Sequence, residues 1–202
     1  MSLAQHRTLA LILLLPLVGA NAQSTTAPAP RATTPPTLTG YAGGQRASGP
    51  QIATIEFSVR HPEWKDDGPS PYVSVDDPAR DIRFMDAPTQ IVLESRTLTV
   101  MIDYPTTGEW SFQVQADTPK GFTRAGLAIR ISQIYHAMYD EEARTSKVKV
   151  VPPDERKGIA NRNRTTGKYG IWGHDIGDLA LSTVEIHRAP DGTFYAVLLV
   201  DS

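Results

Sequence analysis

The sequence predicts an α+β fold, an antiparallel or mixed β-sheet with one long amphipathic helix packed on a face. Three observations predict it. Apolar and polar residues alternate with a period of two in several short segments before residue 116. A single stretch, from Leu127 to Tyr139, carries an apolar stripe at helical spacing. After an irregular loop, strand-like patterning returns from Leu181 to Val200. Strands, one helix and then strands again describe an α+β domain rather than a repeating βα unit.

The chain opens with a short polar segment containing His6 and Arg7. An apolar run from Leu9 to Ala20 follows, and then Ala20-Asn21-Ala22 before Gln23. A basic start, a short apolar centre and small residues around a polar one describe a secretory signal peptide over residues 1–22. The run is shorter than the roughly 20 residues of a spanning helix, and Pro16 sits near its end. No later segment reaches spanning length, so a chain without a transmembrane segment, periplasmic or secreted, is expected after cleavage.

Residues 23–50 are rich in Pro, Thr, Ala, Ser and Gly, as in Thr25-Thr26-Ala27-Pro28 and Thr33-Thr34-Pro35-Pro36. Such composition offers too little apolar surface to offset the entropy of ordering. It predicts a disordered linker. Residues 51–202 then form one domain, long enough for a core without staples.

Within that domain Ile55, Phe57 and Val59 alternate with Glu56, Ser58 and Arg60, which predicts a half-buried strand. His61 to Ala87 is rich in proline and acidic residues and reads as mostly irregular, with a short strand near Tyr72 to Val75. Ile91 to Asp103 reads as strand, with a bend at Ser95 and Arg96 where the apolar parity changes. Pro105 to Gly108 supplies a turn. Trp110, Phe112 and Val114 alternate with Ser111, Gln113 and Gln115, completing a hairpin.

Thr123 is the expected N-cap of the helix. Leu127, Ile131, Ile134, Tyr135, Met138 and Tyr139 share one face, and Arg130, Gln133, Asp140 and Glu141 are expected on the other. Burying those six side chains contributes roughly 9–18 kcal/mol before entropy. That is enough to dock the helix on a sheet. Leu181 to His187 is the next strand, and Ala189-Pro190-Asp191-Gly192 the next turn. Phe194 to Val200 is apolar on both faces, which predicts a central strand covered on both sides.

The composition excludes several chemistries. There is no cysteine, so disulfides, thiolate metal sites and thiol redox chemistry are absent. A formal net charge of -2 offers no electrostatic footprint for nucleic acid. No His-Glu-x-x-His motif and no Gly-x-Ser-x-Gly elbow occurs. Thr165-Thr166-Gly167-Lys168 lacks the spacing of a phosphate loop. Asn163-Arg164-Thr165 is a formal glycosylation sequon. Asp66, Asp67, Asp76 and Asp77 lack EF-hand spacing and read as a solvated acidic loop. No cofactor is predicted.

The densest chemistry lies between Asn161 and Leu179. Arg162, Arg164 and Lys168 can hold anions or carboxylates. Tyr169 and Trp172 offer flat apolar faces with polar tips. These five residues are the candidate ligand-binding set. His174, Asp175 and Asp178 are the one close cluster there suited to proton transfer or metal ligation, and are the catalytic and metal candidates. Three functions follow as expectations. The first is an exported, non-enzymatic binding or accessory domain whose partner is a small anion, a glycan or an envelope protein. The second is a structural subunit of an envelope assembly. The third is a hydrolase using His174, Asp175 and Asp178.

Overall fold

The computed structural model describes residues 41–42, 49–63, 68–157 and 161–202, the first pair by backbone alone. The expected signal peptide and most of the expected linker fall outside the described residues. In chain order the elements are β1 (Tyr41–Ala42), β2 (Gln51–Glu56), β3 (Val73–Ser74), α1 (Pro78–Ile82), β4 (Ile91–Leu93), β5 (Thr97–Ile102), β6 (Trp110–Gln115), β7 (Phe122–Thr123), α2 (Arg124–Thr145), β8 (Ala180–Arg188) and β9 (Phe194–Asp201). The fold is mixed α+β, a sheet with one long helix of 22 residues.

The main sheet runs in the order β1-β6-β5-β9-β8-β2, with β3 also pairing on β8. All its pairs are antiparallel except β5 with β9. The expected bend at Ser95 and Arg96 is the break between β4 and β5, and β4 leaves to pair with β7. The expected hairpin is β5–β6, in register from Thr97↔Gln115 to Ile102↔Trp110. The span expected to be a disordered linker contributes to the sheet: Tyr41 and Ala42 pair with Ser111 and Trp110, and Arg188 N–H donates to Pro50 O (3.1 Å).

Alternation divides the sheet into two faces. Ile55, Val184, Ala196, Val100 and Phe112 share one core with Leu127, Ile131, Ile134, Tyr135 and Met138 of α2. Thr123 caps that helix as expected, its hydroxyl accepting from Gly126 N–H (2.9 Å). The opposite face carries Thr99, Met101, Val197, Leu199, Thr183 and Glu185. β9 is central, as its composition predicts, but its second face is not closed: Leu199 is 44% exposed. In its outer row Val197 borders Met101 and Glu185, and Leu199 borders Thr183.

Two expectations need correction. The segment from His61 to Ala87 contains a short helix, α1. Asp77 accepts from Arg80 N–H at its N-terminus (3.3 Å), and Pro78 supplies the first helical position. Asp81 is buried, holding Ser74 N–H (2.8 Å) and Arg80 Nε (3.1 Å), so this acidic stretch is partly internal scaffolding. Glu141 does not face solvent with Arg130. It lies under the loop that follows α2, for reasons given next.

Candidate functional site

The loop from residue 161 to 179 folds back on itself. Arg162 and Gly173 exchange two main-chain hydrogen bonds (3.0 and 3.1 Å), and Thr165 N–H donates to Ile171 O (2.9 Å). Between these lies the turn Gly167 to Gly170. Gly170 and Gly173 adopt φ of +60° and +78°, a region that favours glycine. At Gly170 a Cβ would also collide with the Thr107 hydroxyl. A second segment closes the other side. Trp172 N–H donates to Pro105 O (3.1 Å), and Thr107 N–H donates to Tyr169 O (3.0 Å).

The base of the loop is Glu142, 0% exposed. Its carboxylate accepts from the N–H groups of Tyr169 (2.7 Å), Gly167 (2.8 Å) and Gly170 (3.1 Å). Burial pushes this carboxyl up. Hydrogen bonds from the Thr165 side chain and those three amides outweigh it and hold the group below the ordinary carboxylate range. The adjacent Glu141 receives the Tyr169 hydroxyl (2.6 Å) and Lys168 Nζ (3.1 Å). The Tyr169 hydrogen bond, with help from Lys168, also holds Glu141 low.

This geometry divides the candidate ligand-binding set. Tyr169 is buried against Trp110, edge to face at 4.6 Å. Lys168 is paired with Glu141. Arg162 is buried, with Nε 3.5 Å from Asp175 and its guanidinium over the Tyr139 ring at 5.2 Å. Burial pushes its pKa down from the ordinary guanidinium value. Arg164 is exposed, with no ion pair among the described residues. Trp172 is 40% exposed, yet its ring is held: Nε1–H donates to Thr106 O (3.2 Å), and the ring meets Tyr104 edge-on at 5.7 Å.

Of the catalytic and metal candidates, Asp175 and Asp178 are joined in one capping turn, and His174 makes its ring contacts elsewhere. Asp175 pairs with Arg156 (2.7 Å) and with Arg162. Its N–H donates to the Asp178 carboxylate (2.9 Å), which closes the 3-10 turn at Ile176–Asp178. His174 turns to Tyr104 (ring centroids 5.6 Å) and Trp172 (6.3 Å), and its Nε2 lies 3.3 Å from Ser202 Oγ. Ser202 Oγ in turn bonds the Tyr104 hydroxyl at 2.7 Å. Among the described residues no group of three or more His, Asp or Glu is placed to hold a metal ion.

Sequence reasoning missed Tyr104 and Ser202, which come from remote segments. It also missed Glu142, for which a signal exists. Glu142 stands four residues after Met138, on the apolar stripe of α2. A carboxylate on a core stripe needs buried donors, and the glycine-rich loop supplies them. No protein-family model, no curated protein and no solved structure matches the chain.

Proposed function

We propose that the protein is an exported, extracytoplasmic binding or accessory domain whose contact surface is Trp172 with its neighbours Tyr104 and His174. The observation that carries this reading is the state of Trp172. Its polar tip is satisfied and its edge is packed, yet 40% of the residue faces outward. A fixed, partly exposed indole is already ordered for stacking, so a ligand costs it little entropy. The three rings touch one another at 5.6–6.3 Å between centroids, too close to admit a cation between them. The ligand therefore stacks on the outer face of the indole, which suits the apolar face of a saccharide. Arg164, exposed on the same loop and without an ion pair among the described residues, is the remaining charged donor. A small-anion site loses support, since Lys168 is paired with Glu141 and Arg162 is buried beside Asp175, its Nη1 enclosed without a partner among the described residues.

The signal-peptide pattern of residues 1–22 supports a periplasmic or secreted location for this domain. Among the described residues no helix is long and apolar enough to cross a membrane. The reading as a structural subunit of an envelope assembly draws on a different observation, the open sheet face around Leu199. The hydrolase reading has no convergent group of His, Asp and Glu in its favour among the described residues.

A thermal-shift screen with soluble chito-, gluco- and galacto-oligosaccharides tests the proposal. At about 100 times Kd a ligand adds about 2.7 kcal/mol to native stability and raises Tm. The expected result is a Tm rise in the wild type that Trp172→Ala removes while retaining a cooperative melt. A rise that Trp172→Ala leaves intact would put the site elsewhere. No rise with any of the three would remove saccharides as the ligand class.

A further inference from the structure

The outer edge of β2 offers a second surface, independent of the Trp172 patch. Phe57 N–H donates to Ser182 O across the β2–β8 ladder (3.3 Å). In an antiparallel pair the main-chain groups of alternate residues point the same way. Ile55 and Phe57 therefore address β8, and Thr54, Glu56 and Ser58 address the opposite side. On that side the end of the segment is closed: Ser58 O accepts from Asp86 N–H (2.8 Å), and Arg60 N–H donates to Phe84 O (2.9 Å). Glu56 O accepts from Arg124 Nη1. For Thr54 N–H, Thr54 O and Glu56 N–H no partner is found among the described residues.

A cavity of about 290 Å³ lies against this open stretch, lined by Thr54, Glu56, Ser58, Asp86, Ala87 and Arg124. The charges in it are unevenly used. Asp86 is held by Ser58 Oγ (2.8 Å) and Arg60 Nε (3.1 Å). Arg124 has its two terminal nitrogens on Glu56 O and Gln90 Oε1. The Glu56 carboxylate has no ion pair among the described residues. The groups left over are thus two main-chain donors, one main-chain acceptor, one carboxylate and the Arg124 Nε–H, which is buried and has no partner among the described residues.

We infer that this groove docks an extended peptide segment carrying a basic side chain. Only an extended main chain presents acceptors and donors alternately at the strand repeat, the basis of recognition by strand addition. The free carboxylate selects a lysine or arginine beside the paired residues. An anionic ligand meets the Glu56 carboxylate, while Arg124 has its terminal nitrogens occupied and its Nε buried, so such a ligand is disfavoured.

An amide NMR titration of the protein tests this, with acetyl-Thr-Val-Lys-Val-Thr-amide as the probe and its Lys-to-Glu counterpart as the control. The Lys peptide is expected to move the Thr54 and Glu56 amide signals saturably, with Kd on the order of 1 mM. The Glu peptide is expected to bind roughly two- to five-fold more weakly, the range of one exposed ion pair. Glu56→Gln, an exposed position, is expected to erase that difference and leave the fold unchanged. A version N-methylated on its pairing edge is expected to lose binding. Any of four results overturns the inference: no saturable movement with the Lys peptide, equal affinity for the two peptides, equal shifts from lysine amide alone, or movement of the same signals with protein concentration alone. The Trp172 signals are expected to stay still throughout, so this outcome is separable from the fate of the saccharide reading.

Discussion

Replacing Glu142 with alanine is expected to release the loop from residue 161 to 179. The wild-type carboxylate satisfies three amides, of which those of Tyr169 and Gly170 belong to fully buried residues. Leaving a buried donor unsatisfied costs about 1–3 kcal/mol. Two such donors and a half-buried third sum to about 3–7 kcal/mol, before any term for the void. A domain of this kind has about 5–15 kcal/mol in total. Glutamine is a milder change. Its one oxygen can still serve Tyr169 and Gly170, both of which bond the same carboxylate oxygen, but its NH₂ then faces the Gly167 N–H. The expected cost is about 2 kcal/mol, from one lost donor and the lost charge assistance.

Urea unfolding followed by circular dichroism reads both numbers. With a slope of about 2 kcal/mol per molar, the midpoint falls by about 2 M for Glu142→Ala and about 1 M for Glu142→Gln. A pH arm isolates the charge. The folded pKa of Glu142 is depressed, so its stabilisation is full above the unfolded value of about 4.3 and is lost as pH falls through the folded value. Glu141, also depressed, adds to the same acid limb. The diagnostic quantity is therefore the difference between proteins: the wild-type acid limb is expected to be steeper than that of Glu142→Gln. An alanine variant whose midpoint at neutral pH lies within about 0.5 M of wild type would refute the reasoning, because it would mean that the three amides find other partners at no cost.

Two other outcomes follow from the same structure. Arg162→Ala is expected to cost about 2–4 kcal/mol, since it empties a buried stem and leaves Asp175 with Arg156 alone, whereas Arg164→Ala is expected to stay within about 0.5 kcal/mol. Equal urea midpoints for the two variants would contradict the division of the basic residues made here. Deleting residues 193–202 removes β9 from between β5 and β8 and severs the sheet into β1-β6-β5 and β8-β2. It is expected to abolish the cooperative thermal transition, and a truncated chain that still melts cooperatively would show that the flanking halves hold together without it.

The local elements were legible because each is written in a short-range pattern. Ile55-Glu56-Phe57, Leu98-Thr99-Val100 and Trp110-Ser111-Phe112 alternate, and β2, β5 and β6 bury the residues that the alternation assigns inward. The stripe from Leu127 to Met138 became the core face of α2 for the same reason. The parallel pairing of β5 with β9 joins residues nearly a hundred positions apart, for example Thr99 with Tyr195. No local pattern specifies such a partner, so the sheet order was not legible. The short helix α1 was legible and overlooked: Asp77 before Pro78 is an N-terminal signature.

The site illustrates why a chemically dense loop is an ambiguous signal. A loop with glycines, two arginines, a lysine and two carboxylates offers the same residue types whether they meet a ligand or one another. What decides is the environment of each group. Glu141 and Glu142 lie on the helix beneath the loop, where donors from Gly167, Lys168, Tyr169 and Gly170 can meet them. The loop's own Asp175 faces Arg156 and Arg162. Charge is thereby matched internally, and most of the polar chemistry from residue 161 to 179 is removed from competition for a ligand. A group available for recognition must be both ordered and left over. On this loop Trp172 meets both conditions, because the hydrogen bond to Thr106 O and the edge of Tyr104 fix a ring that nothing among the described residues covers completely. The same criterion applied to the sheet edge selects Glu56, whose main-chain oxygen is held by Arg124 while its carboxylate is not.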